Sequence, residues 1–206
     1  MSTVTGYDDL TNGQTKAIVS KMGGVDIALA FLRDEYQLTR IAKAVKQVLT
    51  SLGETIVTFA KKSDLEAFAF QTRDGLYVEE AVTKLLGKNV TGPTETSVTL
   101  GRHALSVDAN DTQITAELQP GYTFKGEAGK ELLKQVIASS ISAQWGGTEG
   151  VLTNNGFANI FYFEREDGVR FTVDVRWRSV GREWRVYLWG FDGYAWRAGF
   201  VVFSLN

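Results

Sequence analysis

The chain has 206 residues, of which 44% are hydrophobic and 22% are charged, proportions typical of a folded globular protein. Lysine and arginine number 22 against 24 acidic residues, and the net charge of −2 excludes a strong global attraction to nucleic acid or to anionic membranes. The absence of cysteine excludes disulfides, thiolate metal sites and cysteine nucleophiles.

Helical periodicity marks the first quarter of the chain. The apolar spacing predicts two short helices, over residues 14–22 and 25–35. A longer apolar stripe from Leu38 to Leu52 predicts a third helix, which Gly53 is expected to end. Residues 1–53 are thus predicted to form an N-terminal helical segment.

The middle of the chain mixes strand and helix patterns. Residues 55–60 are rich in β-branched side chains and are predicted to form a strand. The spacing of Ser63 and Glu66 matches a capping box, in which the two side chains bind free backbone N–H groups at the start of a helix. A further helix is predicted over residues 77–86, and alternation around a polar turn predicts a β-hairpin over residues 96–118.

The last third of the sequence predicts one long helix followed by strands. The four runs between residues 158 and 205 alternate apolar and polar residues with period two, which predicts a four-stranded antiparallel meander. The helix is predicted over residues 127–145. Its apolar side comprises Leu133, Val136, Ile137, Ser140, Ile141 and Gln144.

The second run of the meander shows the clearest alternation. One of its faces is expected to lie in the core and the other in water. The predicted core face comprises Val169, Phe171, Val173, Val175 and Trp177, and the predicted solvated face comprises Arg170, Thr172, Asp174, Arg176 and Arg178.

These patterns together predict an α+β fold with N-terminal helices, a β-hairpin, one long helix and a C-terminal four-stranded antiparallel meander. The predicted division is a helical segment over residues 1–53 and an α+β domain over residues 54–206, and a single domain is the alternative. The start of the sequence lacks the pattern of a secretion signal, and no apolar run approaches the roughly 18 residues that span a bilayer. We therefore expect a cytoplasmic protein without membrane contact.

No motif in the sequence carries a recognisable catalytic or metal-binding chemistry. His103 is the only histidine, which excludes a two-histidine zinc site. The segment that begins at Asp108 opens like a calcium loop but has Gln113 where glycine is required and Gln119 where a bidentate glutamate is required. No catalytic residue, metal site or cofactor is therefore predicted, and a non-enzymatic protein is favoured.

Arginine interleaved with aromatic residues is the most distinctive feature of the C-terminal runs. Between residues 168 and 197 six arginines accompany three acids, so this region has a local charge of +3. In the run that starts at residue 183, the alternation places arginine, tyrosine and tryptophan on one face. The predicted ligand-binding residues are Arg185, Tyr187 and Trp189, with Arg176 and Arg178 from the preceding run.

Several roles are compatible with this arrangement. In the simplest, arginines and acids form weakly stabilising cross-strand pairs on a solvated face. Tryptophan, tyrosine and arginine are also enriched at protein interfaces, which favours a non-enzymatic module that binds an unknown protein partner. The alternatives are single-stranded nucleic-acid binding through the same face, and a carbohydrate-binding protein or hydrolase. The oligomeric state is not indicated.

Two stretches resemble a group of uncharacterised small bacterial proteins. Residues 21–35, KMGGVDIALAFLRDE, are similar to a segment of those proteins in which a glycine pair leads into a helix with the motif F-L-R. The tryptophan- and arginine-rich run over residues 175–197, with its VRWR, GREWR and YAWR motifs, is the second similarity. The resemblance implies a small intracellular bacterial protein and provides no functional residues.

Overall fold

The computed structural model of the protein describes residues 47–205 and Ser20. Residues 47–205 form eight strands and four helices, which confirms the predicted mixed α and β content. No helix in this part of the chain is long and apolar enough to cross a membrane. The elements are β1 (Leu49–Thr58), α1 (Lys62–Ala67), β2 (Leu76–Val78), α2 (Glu80–Leu86), β3 (Ser97–Leu105), α3 (Asp111–Thr115), β4 (Phe124–Lys125), α4 (Gly126–Ala143), β5 (Asn159–Glu164), β6 (Arg170–Arg178), β7 (Glu183–Gly190) and β8 (Val201–Leu205).

The predicted N-terminal helices lie mostly outside the described residues. This applies to the helices predicted over residues 14–22 and 25–35 and to the first part of the third helix. The division into residues 1–53 and 54–206 therefore stays a prediction. Strand β1 runs through position 53.

The end of the third predicted helix is wrong, because strand β1 begins at Leu49 and pairs antiparallel with β3. Gly53 does not end a helix but follows a β-bulge, a shift of register between Ser51 and Gly53, and its φ is +84°. A left-handed glycine serves both helix ends and bulges, so the residue alone does not distinguish them. The strand predicted over residues 55–60 is confirmed as far as Thr58.

Two details of the predicted helices after β1 are wrong. Helix α1 has Lys61 at its N-cap without a side-chain cap, so Ser63 lies inside the helix and forms no capping box. The helix predicted over residues 77–86 begins only at Glu80, because the preceding segment, β2, pairs in parallel with β7. A partner strand more than 100 residues away in sequence determines this conformation, so local periodicity does not predict it.

The predicted β-hairpin over residues 96–118 is also wrong, because its second arm is helix α3. The side chain of Asn110 accepts a hydrogen bond from the backbone N–H of Gln113 (2.9 Å), and the Gln113 side chain accepts one from the backbone N–H of Asn110 (3.0 Å). This pair is a capping box that starts the helix. Ile114 and Leu118, read as alternating strand residues, are buried four positions apart, as on one side of a helical turn.

The strands form one mixed sheet in the order β1-β3-β8-β5-β6-β7-β2, with β4 beside the end of β5. The predicted meander is wrong in its last step. Strands β5, β6 and β7 are consecutive antiparallel neighbours, but β8 pairs in parallel with β5 and antiparallel with β3. The chain therefore returns from β7 across the sheet, through residues 191–200, before β8 joins its centre.

Two hydrophobic cores cover opposite faces of the sheet. The first core lies on the face that carries Val173, Val175 and Trp177, as predicted, and α4 packs there. The second core lies on the other face, where residues 105–118 and 191–200 cover Ile160, Tyr162 and Val202. The face of β6 predicted to lie in water is consequently exposed only at its ends, Arg170 and Arg178. Between these ends, Thr172 and Asp174 are buried and Arg176 is half-buried.

The helix predicted over residues 127–145 is confirmed as α4, although it ends at Ala143, and all six residues of its predicted apolar side are buried. Gln144 at its C-terminal end is polar yet only 1% exposed. Its side chain donates to the carbonyls of Thr148 (3.0 Å) and Leu152 (2.9 Å) and accepts from the N–H of Leu152 (2.8 Å). This side chain thus ties the loop after the helix to the helix end. The Gln144 carbonyl also accepts from the indole N–H of Trp184, at 3.0 Å.

Replacement of Gln144 tests this connection between the loop and the end of helix α4. Gln144→Ala removes the partner of two buried backbone groups, the N–H and the carbonyl of Leu152, so we expect the free energy of unfolding to fall by about 2–4 kcal/mol. The control is Gln135→Ala in the same helix, because the half-buried Gln135 makes a single bond, to the Thr91 carbonyl at 3.0 Å. The control should cost less than about 1 kcal/mol. Urea unfolding measures both, and equal losses would contradict a specific role for Gln144.

Candidate binding surface

Residues of β2, β6 and β7 form a mixed aromatic and polar surface on the second face of the sheet, which is the face that carries the second core. The register of the strands places Arg176 of β6 opposite Arg185 of β7, and Arg185 opposite Tyr77 of β2. Tyr187 and Trp189 follow Arg185 on the same side of β7, whereas Trp184 and Val186 lie in the first core. The aromatic–arginine face, as we name it, comprises Tyr77, Arg176, Arg185, Tyr187, Trp189 and Tyr194.

Four aromatic rings lie in a row along this face. The ring centres of Tyr77 and Tyr187 are 5.7 Å apart, those of Tyr187 and Trp189 are 6.4 Å apart, and those of Trp189 and Tyr194 are 4.8 Å apart. These distances are in the range of favourable aromatic pairs. All four side chains are half-buried, so packing holds each ring while part of it stays accessible.

Arg185 is held by a carboxylate and a phenol of its own strand. It donates to Oε1 of Glu183 through Nε (2.8 Å) and Nη2 (2.6 Å), and to Oη of Tyr187 through Nη1 (3.0 Å). Its guanidinium carbon lies 5.3 Å from the ring centre of Tyr77. The bonds to Glu183 and Tyr187 raise the pKa of Arg185, so the guanidinium stays charged, and Glu183 balances that charge.

Arg176 is held in a similar way by Asp174. Nε of Arg176 donates to Oδ1 of Asp174 at 3.2 Å, and a second bond joins Nη2 to Oδ2. The guanidinium carbon lies 5.6 Å from the ring centre of Tyr187 and 5.8 Å from that of Phe200. Both arginines of the face are therefore paired with an acid and in contact with aromatic rings.

Asp174 is a fully buried acid beneath the face. Burial raises its pKa, while the bond to Arg176 and the nearby indole of Trp189 oppose that rise. The indole nitrogen of Trp189 is buried and lacks a hydrogen-bond partner of standard geometry, so its effect on Asp174 is that of a nearby dipole.

The remaining predicted ligand-binding residue, Arg178, lies at the far end of the same face, opposite Glu183. It is exposed and forms no ion pair with the described residues. The structure thus brings together four of the five predicted residues, Arg176, Arg185, Tyr187 and Trp189, and leaves Arg178 at the edge.

A buried carboxylate fixes the segment that carries Tyr194. Oδ1 of Asp111 accepts from Oη of Tyr162 (3.0 Å) and from Nε1 of Trp196 (2.6 Å), and Oδ2 accepts from the backbone N–H of Asp192 (2.7 Å). Two backbone bonds between Ala109 and Trp196, of 2.9 and 2.8 Å, lie beside this carboxylate. These bonds attach residues 191–200 to the start of helix α3.

Asp192, in residues 191–200, accepts further hydrogen bonds from helix α3. Its carboxylate accepts from the backbone N–H (2.8 Å) and the hydroxyl (2.5 Å) of Thr112. These bonds lower the pKa of Asp192, whereas burial raises the pKa of Asp111. The pKa of Tyr162 is raised by burial and by the charge of Asp111, so its hydroxyl stays protonated and able to donate.

Three residues of this arrangement were not predicted. Tyr77 lay in a predicted helix, although the sequence Leu76-Tyr77-Val78 is typical of a strand. Tyr194 follows β7 outside any alternating run, and Asp111 was read as part of a polar turn. In each case the residue reaches the site through a contact distant in sequence, for which a local pattern gives no signal.

The rest of the described surface offers little chemistry. The described residues contain no group of three or more histidine and acidic side chains that could hold a metal. A cavity of about 320 Å³ lies between residues 91–95 and α4, where Glu131, one of its lining acids, is already paired with Lys134. The imidazole Nε2 of His103 lies 3.1 Å from Oγ of Ser204, and burial lowers the pKa of this histidine.

The pH dependence of stability tests the state of Asp111. Because its folded pKa is raised, its contribution to stability is complete below the pKa of an unfolded aspartate, about 3.9, and is lost as the pH rises through the folded pKa. Asp111→Asn abolishes this titration. We therefore expect the free energy of unfolding of wild type to fall, relative to the variant, as the pH rises above about 4.

Asp192→Asn provides the matched control, because the lowered pKa of Asp192 gives the opposite sign. The stability that wild type gains over this variant should be complete above the pKa of an unfolded aspartate, about 3.9, and should be lost as the pH falls through the lowered folded pKa. Asparagine also tolerates the left-handed backbone of this position, where φ is 59°. Urea unfolding from about pH 3 to pH 7 measures both slopes, and slopes of equal sign would contradict the assignment.

Comparisons with known protein families, with curated proteins and with solved structures found no match to this chain.

Proposed function

We propose that the protein is a non-enzymatic binding module whose aromatic–arginine face holds a protein partner. Tyrosine, tryptophan and arginine are enriched among the few residues that dominate the binding energy at protein interfaces. Here their rings are held by packing, so a partner binds without a large loss of side-chain entropy.

The observation that carries the proposal is the pairing of both central arginines. Arg176 is paired with Asp174, and Arg185 is paired with Glu183. The centre of the face is thus electrically balanced, and its polar groups are largely satisfied before binding. A balanced surface rich in tyrosine and tryptophan is typical of a site for a protein, because a polyanion is bound by uncompensated positive charge.

Single-stranded nucleic acid is the alternative, since bases stack on accessible aromatic rings and Arg178 supplies one unpaired guanidinium beside them. Binding of this kind weakens steeply with salt. A sugar ligand would also use the rings. The paired arginines favour a protein partner over the nucleic acid.

Selection from a random peptide library tests the proposal. Wild-type protein should enrich peptides whose affinity falls by about 30-fold or more in Tyr187→Ala, because removal of a central interface tyrosine costs about 2 kcal/mol or more. Fluorescence titration of the selected peptides measures the affinities.

The matched control is Leu52→Ala. Leu52 is 48% exposed and lies in β1, at the other edge of the sheet from β2 and β7, so its replacement should leave the affinity unchanged. Peptides that bind Tyr187→Ala as tightly as wild type would contradict the proposal. Saturable, salt-sensitive binding of single-stranded DNA or RNA, without peptide enrichment, would support the alternative.

A further inference from the structure

We infer that the aromatic–arginine face binds a proline-rich segment of another protein in the polyproline II conformation, an inference that rests on the binding module proposed above. Aromatic-lined surfaces are a recurring means of recognising such segments. Three features of the face support this partner: the row of rings, a free hydroxyl proton and the balanced charge.

The row of rings matches the shape of an extended, apolar ligand. It runs from Tyr77 of β2 through Tyr187 and Trp189 of β7 to Tyr194, with neighbouring ring centres separated by 4.8–6.4 Å. A polyproline II helix rises about 3.1 Å per residue, so the row accommodates at most about six residues. Proline rings can then pack on the accessible parts of successive aromatic rings, and the preformed helix loses little entropy on binding.

The hydroxyl of Tyr187 can donate a hydrogen bond to a ligand. Its oxygen accepts from Nη1 of Arg185 at 3.0 Å, so its own proton is not used in that bond. The carbonyls of a polyproline II helix make no internal hydrogen bonds and need donors. Tyr187 therefore provides a donor within the row of rings.

The charge of the face complements an uncharged ligand. The acids Asp174 and Glu183 balance the guanidinium groups of Arg176 and Arg185. An acidic or phosphorylated segment would have to compete with these acids for the arginines, whereas a proline-rich segment does not disturb the pairs.

The edge of the sheet beside this face is closed to another mode of peptide binding. Strand β2 pairs with β7 only from Trp184 to Val186. Beyond it, the outward N–H of Leu188 already donates to Oε2 of Glu79 at 2.9 Å, and the carbonyl of Gly190 accepts from the N–H of Gly193 at 2.8 Å. Addition of a peptide as a further strand would have to break such bonds, which leaves the ring surface as the route of recognition.

The 206 residues of this chain do not supply such a segment. This chain has only two prolines, Pro93 and Pro120, which are 27 positions apart, so its own sequence has no proline-rich stretch.

Titration with two uncharged peptides tests the inference. The probes are a peptide of about nine prolines, or about three turns, and a glycine-serine peptide of equal length that does not form this helix. Nitrogen-15 NMR should show saturable shifts of the Trp189 indole and of the β7 backbone with the proline peptide, and none with the glycine-serine peptide.

Conservative variants separate the role of the hydroxyl from that of the ring. Tyr187→Phe keeps the ring and should weaken the proline peptide by about two- to tenfold, the effect of one lost hydrogen bond. Leu52→Ala should leave its affinity unchanged. Equal affinity of Tyr187→Phe and wild type would overturn the role of the hydroxyl proton.

The outcomes also distinguish the inference from the proposed function. Equal binding of the two peptides, or no binding of the proline peptide, would overturn the inference. If the random library then yields Tyr187-dependent peptides that lack proline, the binding module stands with another kind of segment. Binding of single-stranded DNA in place of any peptide would overturn both.

Discussion

The carboxylate of Asp111 is the interaction on which the second face of the sheet depends. It is fully buried and accepts hydrogen bonds from Tyr162, Trp196 and the backbone of Asp192. Through these bonds it connects the sheet, helix α3 and residues 191–200. Because burial opposes its charge, the three donors are needed to stabilise it there. Tyr194 gains its place at the end of the aromatic row from the same connection.

One side of strand β7 stabilises the fold, and the other carries the proposed recognition surface. Trp184 and Val186 are fully buried in the first core, whereas Arg185, Tyr187 and Trp189 are half-buried on the second face. A side chain held on one side by packing and open on the other is suited to binding, because it needs little rearrangement. The same alternation that builds the core therefore presents the candidate site.

Features with strong local periodicity could be predicted from the sequence. The apolar side of α4 and the division of β7 into two faces follow from spacing alone, and Arg185, Tyr187 and Trp189 were found in this way. The conformations of Leu49, Tyr77 and Ile114 could not be predicted. Leu49 and Tyr77 pair with strands far away in sequence, and the spacing of Ile114 and Leu118 fits both a strand and a helical turn. The buried acids Asp111 and Asp174 were missed because aspartate normally indicates a polar turn or a solvated face.

The position of β8 in the sheet has a consequence for how the protein is made. Strand β8 is the last of the described strands along the chain, yet it lies between β3 and β5 and joins the β1-β3 pair to the rest of the sheet. During synthesis these two parts of the sheet cannot unite until residues 201–205 have left the ribosome. The partner edges of β3 and β5 remain open for that time, and such edges pair readily with other chains. Contacts of this long range also slow folding, so the nascent chain spends longer in a state where aggregation competes with completion of the sheet.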